Sequence, residues 1–267
     1  MENLKKHWIV AGLTVALAAF GCTSLAAQEA GVEQYVSPWK TPWDYEGARG
    51  AEHWSELDPD YAVCNTGKQQ SPIDVRNAEK ADLPTLRFES RSGPIRYVIN
   101  NAHTIRVNYK AGNGNFLLVG DDRYELTQFH FHHPSEERIE GKSHDMEVHL
   151  MYRSGDGKAA GVTVFVNRGR ANSTVEKLWE HMPKAEGQQE AAGVEINPAA
   201  LLPRDTTGYY MYAGSVTAPP CTEGVTWFVL KEPIAISAAQ IRAFAELYPN
   251  DARAIQPLNG RVVKQSR

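Results

Sequence analysis

After about residue 90 the chain is dominated by short apolar runs in which every second position is hydrophobic. Segments 95–99, 104–109, 116–119, 124–132, 146–152, 162–166 and 225–230 are rich in β-branched or aromatic residues and are separated by glycine or polar breaks, the pattern of strands. Two stretches have helical spacing instead. Each opens with a serine followed three residues later by an acid or amide, Ser173 with Glu176 and Ser237 with Gln240, which predicts capping boxes. Behind these caps Val175, Leu178, Trp179 and Met182 share one face, as do Ile241, Phe244, Ala245 and Tyr248. Ahead of the strands, Trp39, Trp43, Tyr45 and Trp54, with Pro38 and Pro42, predict an irregular arm anchored by aromatic rings. No repeat, low-complexity tract or linker interrupts 70–261, so one mostly β domain with accessory helices is expected over 28–267.

The first residues read differently. Lys5 and Lys6 precede an apolar run over 8–20 and the small-residue pattern Ser24-Leu25-Ala26, which predicts a signal peptide over 1–27. The run of about 13 residues is shorter than the roughly 20 that cross a bilayer, so no transmembrane anchor is expected. Cys22, after Ala19-Phe20-Gly21, is an imperfect lipoprotein signal and leaves lipid attachment open. Export implies a periplasmic or secreted location. There the two remaining cysteines, Cys64 and Cys221, are expected to form a disulfide, with two buried free thiols as the alternative.

Composition narrows the function further. A net charge of −4 with 22% charged residues predicts no nucleic-acid partner and no anionic membrane surface, so the partner is expected to be small. The nine histidines carry more information. In Gln128-Phe129-His130-Phe131-His132, strict alternation puts Gln128, His130 and His132 on one strand face and both phenylalanines on the other. Glu147-Val148-His149 offers a third imidazole from a second strand. Three neutral imidazoles without a thiolate suit a catalytic zinc with an open position. Gln128 and Glu147, each two residues before a ligand, are candidates to hold the ligands' second ring nitrogens. His7, His133, His144 and His181 lack such context and are expected to be structural, surface or signal residues.

These segments, with Ser135-Glu136, Gln70-Ser71-Pro72-Ile73-Asp74, Asn100-Asn101-Ala102-His103, Gly214 through Cys221, Val225-Thr226-Trp227 and Gln256 through Arg261, resemble the α-class carbonic anhydrases in order along the chain. The resemblance implies a mainly β fold with a large twisted, mostly antiparallel central sheet and a few peripheral helices. It implies Zn2+ on His130, His132 and His149, and reversible hydration of CO2 to bicarbonate by zinc-bound hydroxide. It implies that Thr217 orients the hydroxide, that Glu136 receives the Thr217 proton, and that His103 is the proton shuttle. Tyr45 and Asn101 match residues that order the connecting waters, although each could equally be a packing or turn residue.

The resemblance further implies an apolar CO2 pocket from Met151, Val216, Val225 and Trp227, for which core packing is the alternative. Four positions depart from the family's pattern. Met151 and Gly161 stand at or near usual valines, Ala218 replaces a second threonine beside the pocket, and Glu137 replaces a frequent histidine. The oligomeric state is left open, a homodimer included. Two other readings remain: a cupin-type metalloprotein with Glu136 as a ligand, and a carbonic anhydrase-like binding module that has lost its metal.

Overall fold

Strands with apolar residues at alternate positions can bury one face and leave the other free to build a site. The structure, a computed structural model, describes residue 37 and residues 39–186, 189–191 and 193–267. The expected signal segment 1–27 and Cys22 lie outside the described residues. The described residues form one compact unit, centred on a 13-stranded sheet. Seven strands position the site: β1 Tyr97–Asn100, β2 Ile105–Asn108, β3 Asp122–His132, β4 Met146–Ser154, β5 Ala159–Arg168, β6 Tyr209–Ser215 and β7 Glu223–Leu230. They lie side by side in the order β1-β2-β3-β4-β5-β7-β6. Neighbours are antiparallel except β5 and β7, which run parallel.

One face of this sheet carries the larger core. Phe129, Phe131, Val148, Leu150, Val162 and Val164 are buried there, and each such side chain contributes about 1.5–3 kcal/mol relative to exposure. Helices α1 (Ser173–Glu180) and α2 (Ala238–Ala245) cover that face with Val175, Leu178 and Phe244 fully buried. The Trp179 ring packs edge-on against Phe131 at 4.8 Å.

The cap of α2 is the expected box, with the Ser237 hydroxyl accepting from the Gln240 amide and the Gln240 side chain accepting from Ser237. The start of α1 is shifted by one residue. Asn172, not Ser173, is the cap, and its side-chain oxygen accepts from the amides of Thr174 and Val175. A tertiary contact decides this, because the Gln240 side chain bonds both the N–H and the C=O of Asn172.

Three other features differ from the pattern along the chain. In β3, Tyr124 and Leu126 face the core although Phe129 and Phe131, of opposite parity, face it too. A register shift against β4 between Met151 and Tyr152 skips Thr127, and this bulge turns the strand over by one residue. Strand β6 was not evident in the sequence, because Tyr209 to Ser215 contains no β-branched residue; pairing with β7 and with Lys264–Ser266 makes it a strand. The arm is less irregular than expected, since Trp54–Leu57 and Val63–Thr66 form short helical turns. Its rings do anchor it: Trp43 and Trp54 are buried together with the Cys64–Cys221 disulfide.

Candidate active site

The adjacent strands β3 and β4 pair His130 with His149 and His132 with Glu147, so all four side chains start from the face opposite the Phe129/Phe131 core. One ring nitrogen from each of His130, His132 and His149 lies within 4.8 Å of the others. The remaining nitrogens are occupied. His130 Nδ1 meets Gln128 Oε1 at 2.9 Å, and His132 Nδ1 meets the Asp251 carbonyl at 2.7 Å. His149 Nε2 meets Glu147 Oε1 at 2.9 Å and Glu137 Oε2 at 3.2 Å. These bonds leave His132 Nε2 and His149 Nδ1 buried without a hydrogen-bond partner. Buried nitrogens normally find partners, and two such orphans aimed at a third imidazole fit a divalent cation with imidazole ligands.

Charge is arranged to match. Burial, then the neighbouring imidazoles, holds His130 and His132 well below the ordinary histidine range, so both rest neutral, the form that binds metal. For His149, burial opposes the cation, but Glu147 and Glu137 outweigh it and raise its pKa well above the usual value. Glu137 and Glu147 are both fully buried, and two carboxyls so placed do not both stay ionised. Burial, then the charge of Glu137, lifts Glu147 to about 8. Glu137 is instead held down against burial by hydrogen bonds, first from His149 and also from the Tyr212 hydroxyl at 2.8 Å.

Beside the imidazoles lies the buried Glu136, on the loop leaving β3. Its Oε1 accepts from the Arg253 amide at 2.7 Å, while Oε2 lies 3.4 Å from His132 Nε2 and 3.9 Å from His149 Nδ1. Burial lifts this carboxyl to about 7, with His149, Arg253 and Thr217 opposing the rise. Thr217 thus acts on the same carboxyl, although Oε2 makes no hydrogen bond of ordinary geometry. The turn that carries Thr217 follows β6 and is tied back by Val216 N to Thr222 O and Cys221 N to Ala218 O.

A cleft of about 260 Å³ opens over these groups. Tyr45, Asn101 and His103 line one side; Met151, Val216, Ala218, Val225 and Trp227 line another, while Glu136 and Glu147 are buried outside the lining. Asn101 also holds a turn, its side-chain oxygen accepting from the amides of His103 and Thr104. His103 stacks on Trp43 with ring centroids 3.5 Å apart, and its Nε2 meets the Trp43 carbonyl at 2.8 Å while Nδ1 meets the Asn101 carbonyl at 3.1 Å. Both partners are acceptors, so only the doubly protonated ring can satisfy both. Burial nevertheless pulls its pKa below the ordinary value.

Met151 faces Gly161 across β4 and β5, and Gly161 faces Trp227 across β5 and β7. A Cβ on Gly161 would stand 2.6 Å from Trp227 Cε3, so the missing side chain is the space the indole occupies. The indole N–H donates to the Ser215 carbonyl at 2.9 Å, and the ring lies 4.6 Å from the His149 ring. Gly161→Val should therefore push Trp227 toward the His149 imidazole. The expected cost is about 1–3 kcal/mol, read as a lower melting temperature; an unchanged melting temperature would show that the indole has somewhere else to go.

Three residues of this site were missed in the sequence. The carbonyl of Asp251 is invisible there because any residue supplies one. Arg253, whose guanidinium donates to Gln70, Ser71 and Cys64, gave no local signal. The hydrogen bond from Tyr212 to Glu137 joins a strand to a loop 75 residues away in the chain. Elsewhere, His133 Nδ1 meets the Pro249 carbonyl and His144 stacks on Phe165, as expected of structural histidines.

Fold and site together define a β-sheet protein with a three-imidazole centre at the base of a cleft. The profile of the eukaryotic-type carbonic anhydrase family matches residues 49–267. A carbonic anhydrase of Pectobacterium atrosepticum is 40% identical over 222 residues, 83% of this chain and 89% of that one. One from a Nostoc species is 39% identical over 226 residues, covering 83% and 84%. The α-carbonic anhydrase of Thermovibrio ammonificans, solved with the inhibitor sulfanilamide, superposes with a TM-score of 0.80 at 39% identity, covering 86% of this chain and all of that one. The chain belongs to the carbonic anhydrase family and is a carbonic anhydrase, an enzyme of carbon dioxide hydration. The cupin-type reading is thereby set aside.

Proposed function

We propose that this enzyme interconverts CO2 and bicarbonate with Zn2+ held by His130, His132 and His149. The observation that carries the reading is the pair of orphaned nitrogens, His132 Nε2 and His149 Nδ1, converging with His130. When bound, zinc supplies the Lewis acidity that makes water a nucleophile near neutral pH. Everything else falls to the chain's own side chains. Gln128, the Asp251 carbonyl, and Glu147 with Glu137 fix the three imidazoles, and such outer contacts are worth about 10–100-fold in metal affinity.

Thr217 would accept a hydrogen bond from the O–H of the attacking oxygen and so turn a lone pair toward carbon, while donating its own O–H in a hydrogen bond to Glu136, whose Oε2 is buried without another partner. Met151, Val216, Val225 and Trp227 exclude water around the apolar substrate, while Ala218 leaves room that a larger side chain would fill. His103 carries the proton to solvent, with Tyr45 and Asn101 ordering the waters between. A neutral His103 can donate to only one of its two carbonyl partners, which frees the ring to turn toward the cleft and collect the next proton.

The retention of all three imidazoles counts against a binding module that has lost its metal. Export of the chain by a signal over 1–27, to the periplasm or outside, is supported by the Cys64–Cys221 bond, because disulfides persist in oxidising compartments. Among the described residues no helix is long and apolar enough to cross a membrane.

Stopped-flow hydration by the purified protein, with zinc measured on the same sample, tests the main reading: fast turnover with one zinc per chain is expected, and zinc-loaded protein without turnover would sink it. His103→Ala should slow maximal hydration by roughly 10- to 100-fold, at the low end of general acid–base effects, with partial recovery in imidazole buffer. An unchanged rate would take the shuttle role from His103.

A further inference from the structure

We propose that Arg106 is the anion-selecting residue of the cleft, holding a planar monoanion such as bicarbonate beside His130 while leaving neutral CO2 unaffected. The inference rests on the carbonic anhydrase reading above and concerns a residue to which that reading gives no role. Its basis is register. Arg106 on β2 pairs directly with His130 on β3, which pairs directly with His149 on β4. Directly paired residues of antiparallel strands project from the same face, with Cβ atoms about 4.5–5.5 Å apart. The row Arg106-His130-His149 therefore runs across one face, with a cation at its outer end. Alternation agrees, since Ile105 and Val107 on either side are fully buried in the opposite core.

The surroundings favour an anion there. The cleft wall includes Arg106 and Arg153 and, among the described residues, no aspartate or glutamate, although the chain as a whole carries −4. The carboxyls nearest the imidazoles, Glu136, Glu137, Glu147 and Asp251, are buried behind them and already engaged: by the Arg253 amide, by Tyr212 and His149, by His149, and by the His133 amide. Arg153 lies beyond the bulge of β4, paired with Glu125, whereas the half-buried Arg106 is paired directly with His130.

A guanidinium is always charged, planar and able to present two parallel N–H groups, the match for a planar anion with two oxygens. The opposite wall, with Val216, Val225 and Trp227, is apolar. The two walls thus separate by charge the substrate and product of one reaction.

The test uses zinc-loaded wild type, Arg106→Gln and Arg106→Lys, with nitrate as an unreactive planar monoanion. The inhibition constant of nitrate against initial CO2 hydration should rise about five- to tenfold in Arg106→Gln and be partly restored in Arg106→Lys, while KM for CO2 stays unchanged. Bicarbonate added as product should show the same ratio. A second readout needs no turnover: nitrate should raise the melting temperature of the wild type and do so less in Arg106→Gln, because a ligand bound only to the folded state stabilises it. An active wild type whose nitrate constant is indifferent to Arg106→Gln would overturn the proposal. So would an equal rise in KM for CO2, which would mean a general disturbance of the cleft. Inactivity of the zinc-loaded wild type would count against the hydration reading itself, and the melting arm would still decide whether Arg106 binds the anion.

Discussion

His130→Ala is expected to give a folded chain whose zinc affinity falls by about 10²- to 10³-fold and whose hydration activity falls to background. Four-ligand structural sites hold zinc by about 10–16 kcal/mol at neutral pH. Divided roughly evenly, one ligand accounts for about 3–4 kcal/mol, and each 1.4 kcal/mol is a factor of ten. The two imidazoles left behind, from β3 and β4, cannot enclose a tetrahedral ion with one open position. The fold should survive, because His130 is only half-buried and the strand's core contacts come from Phe129 and Phe131. Chelator competition, circular dichroism and stopped-flow hydration on one preparation make the comparison. Wild-type zinc affinity in the variant would refute the ligand assignment, and lost structure would be visible separately in the dichroism.

Removing the disulfide, as Cys64→Ser with Cys221→Ser, should lower stability by about 3–4 kcal/mol. The bond closes a loop of 157 residues. The chain-entropy account puts the ceiling near 5 kcal/mol for so long a loop, and measured losses cluster between about 2 and 5. At roughly 2–4 °C per kcal/mol for a domain of this size, the melting temperature should fall by about 10 °C. Zinc affinity should hold, since no ligand lies in the arm or in the turn the bond reaches. Turnover should suffer more than affinity. Cys221 lies four residues after Thr217, its amide bonds the Ala218 carbonyl, and its own carbonyl accepts from Gln70, so the turn that presents Thr217 loses its tie to the arm. Equal melting temperatures with and without the bond would show that the aromatic cluster of Trp43 and Trp54 holds the arm alone.

How much of this was visible beforehand depended on whether a feature is periodic. The alternation in 128–132 was enough to predict that His130 and His132 share a face, and the helix faces behind Ser237 were read in the same way. Features that arise where distant segments meet left no such trace. The cap at Asn172 depends on Gln240, 68 residues away, and the bulge at Thr127 depends on the register with β4. Gly161 could be noted as a departure, but only the indole of Trp227 lying over it shows what the departure is for. Glu137 could likewise be seen as a substitution, while its place beside His149 could not.

By itself the sequence determined the strand-rich character of the chain and the set of imidazoles able to hold a metal, because each follows from residue type and short-range spacing. The tertiary structure decided which ring nitrogen each histidine offers, which carboxyl of a buried pair keeps its proton, and that Arg106 stands one strand away from His130. These depend on backbone carbonyls, desolvation and cross-strand register, and such quantities exist only once segments far apart in the chain lie side by side.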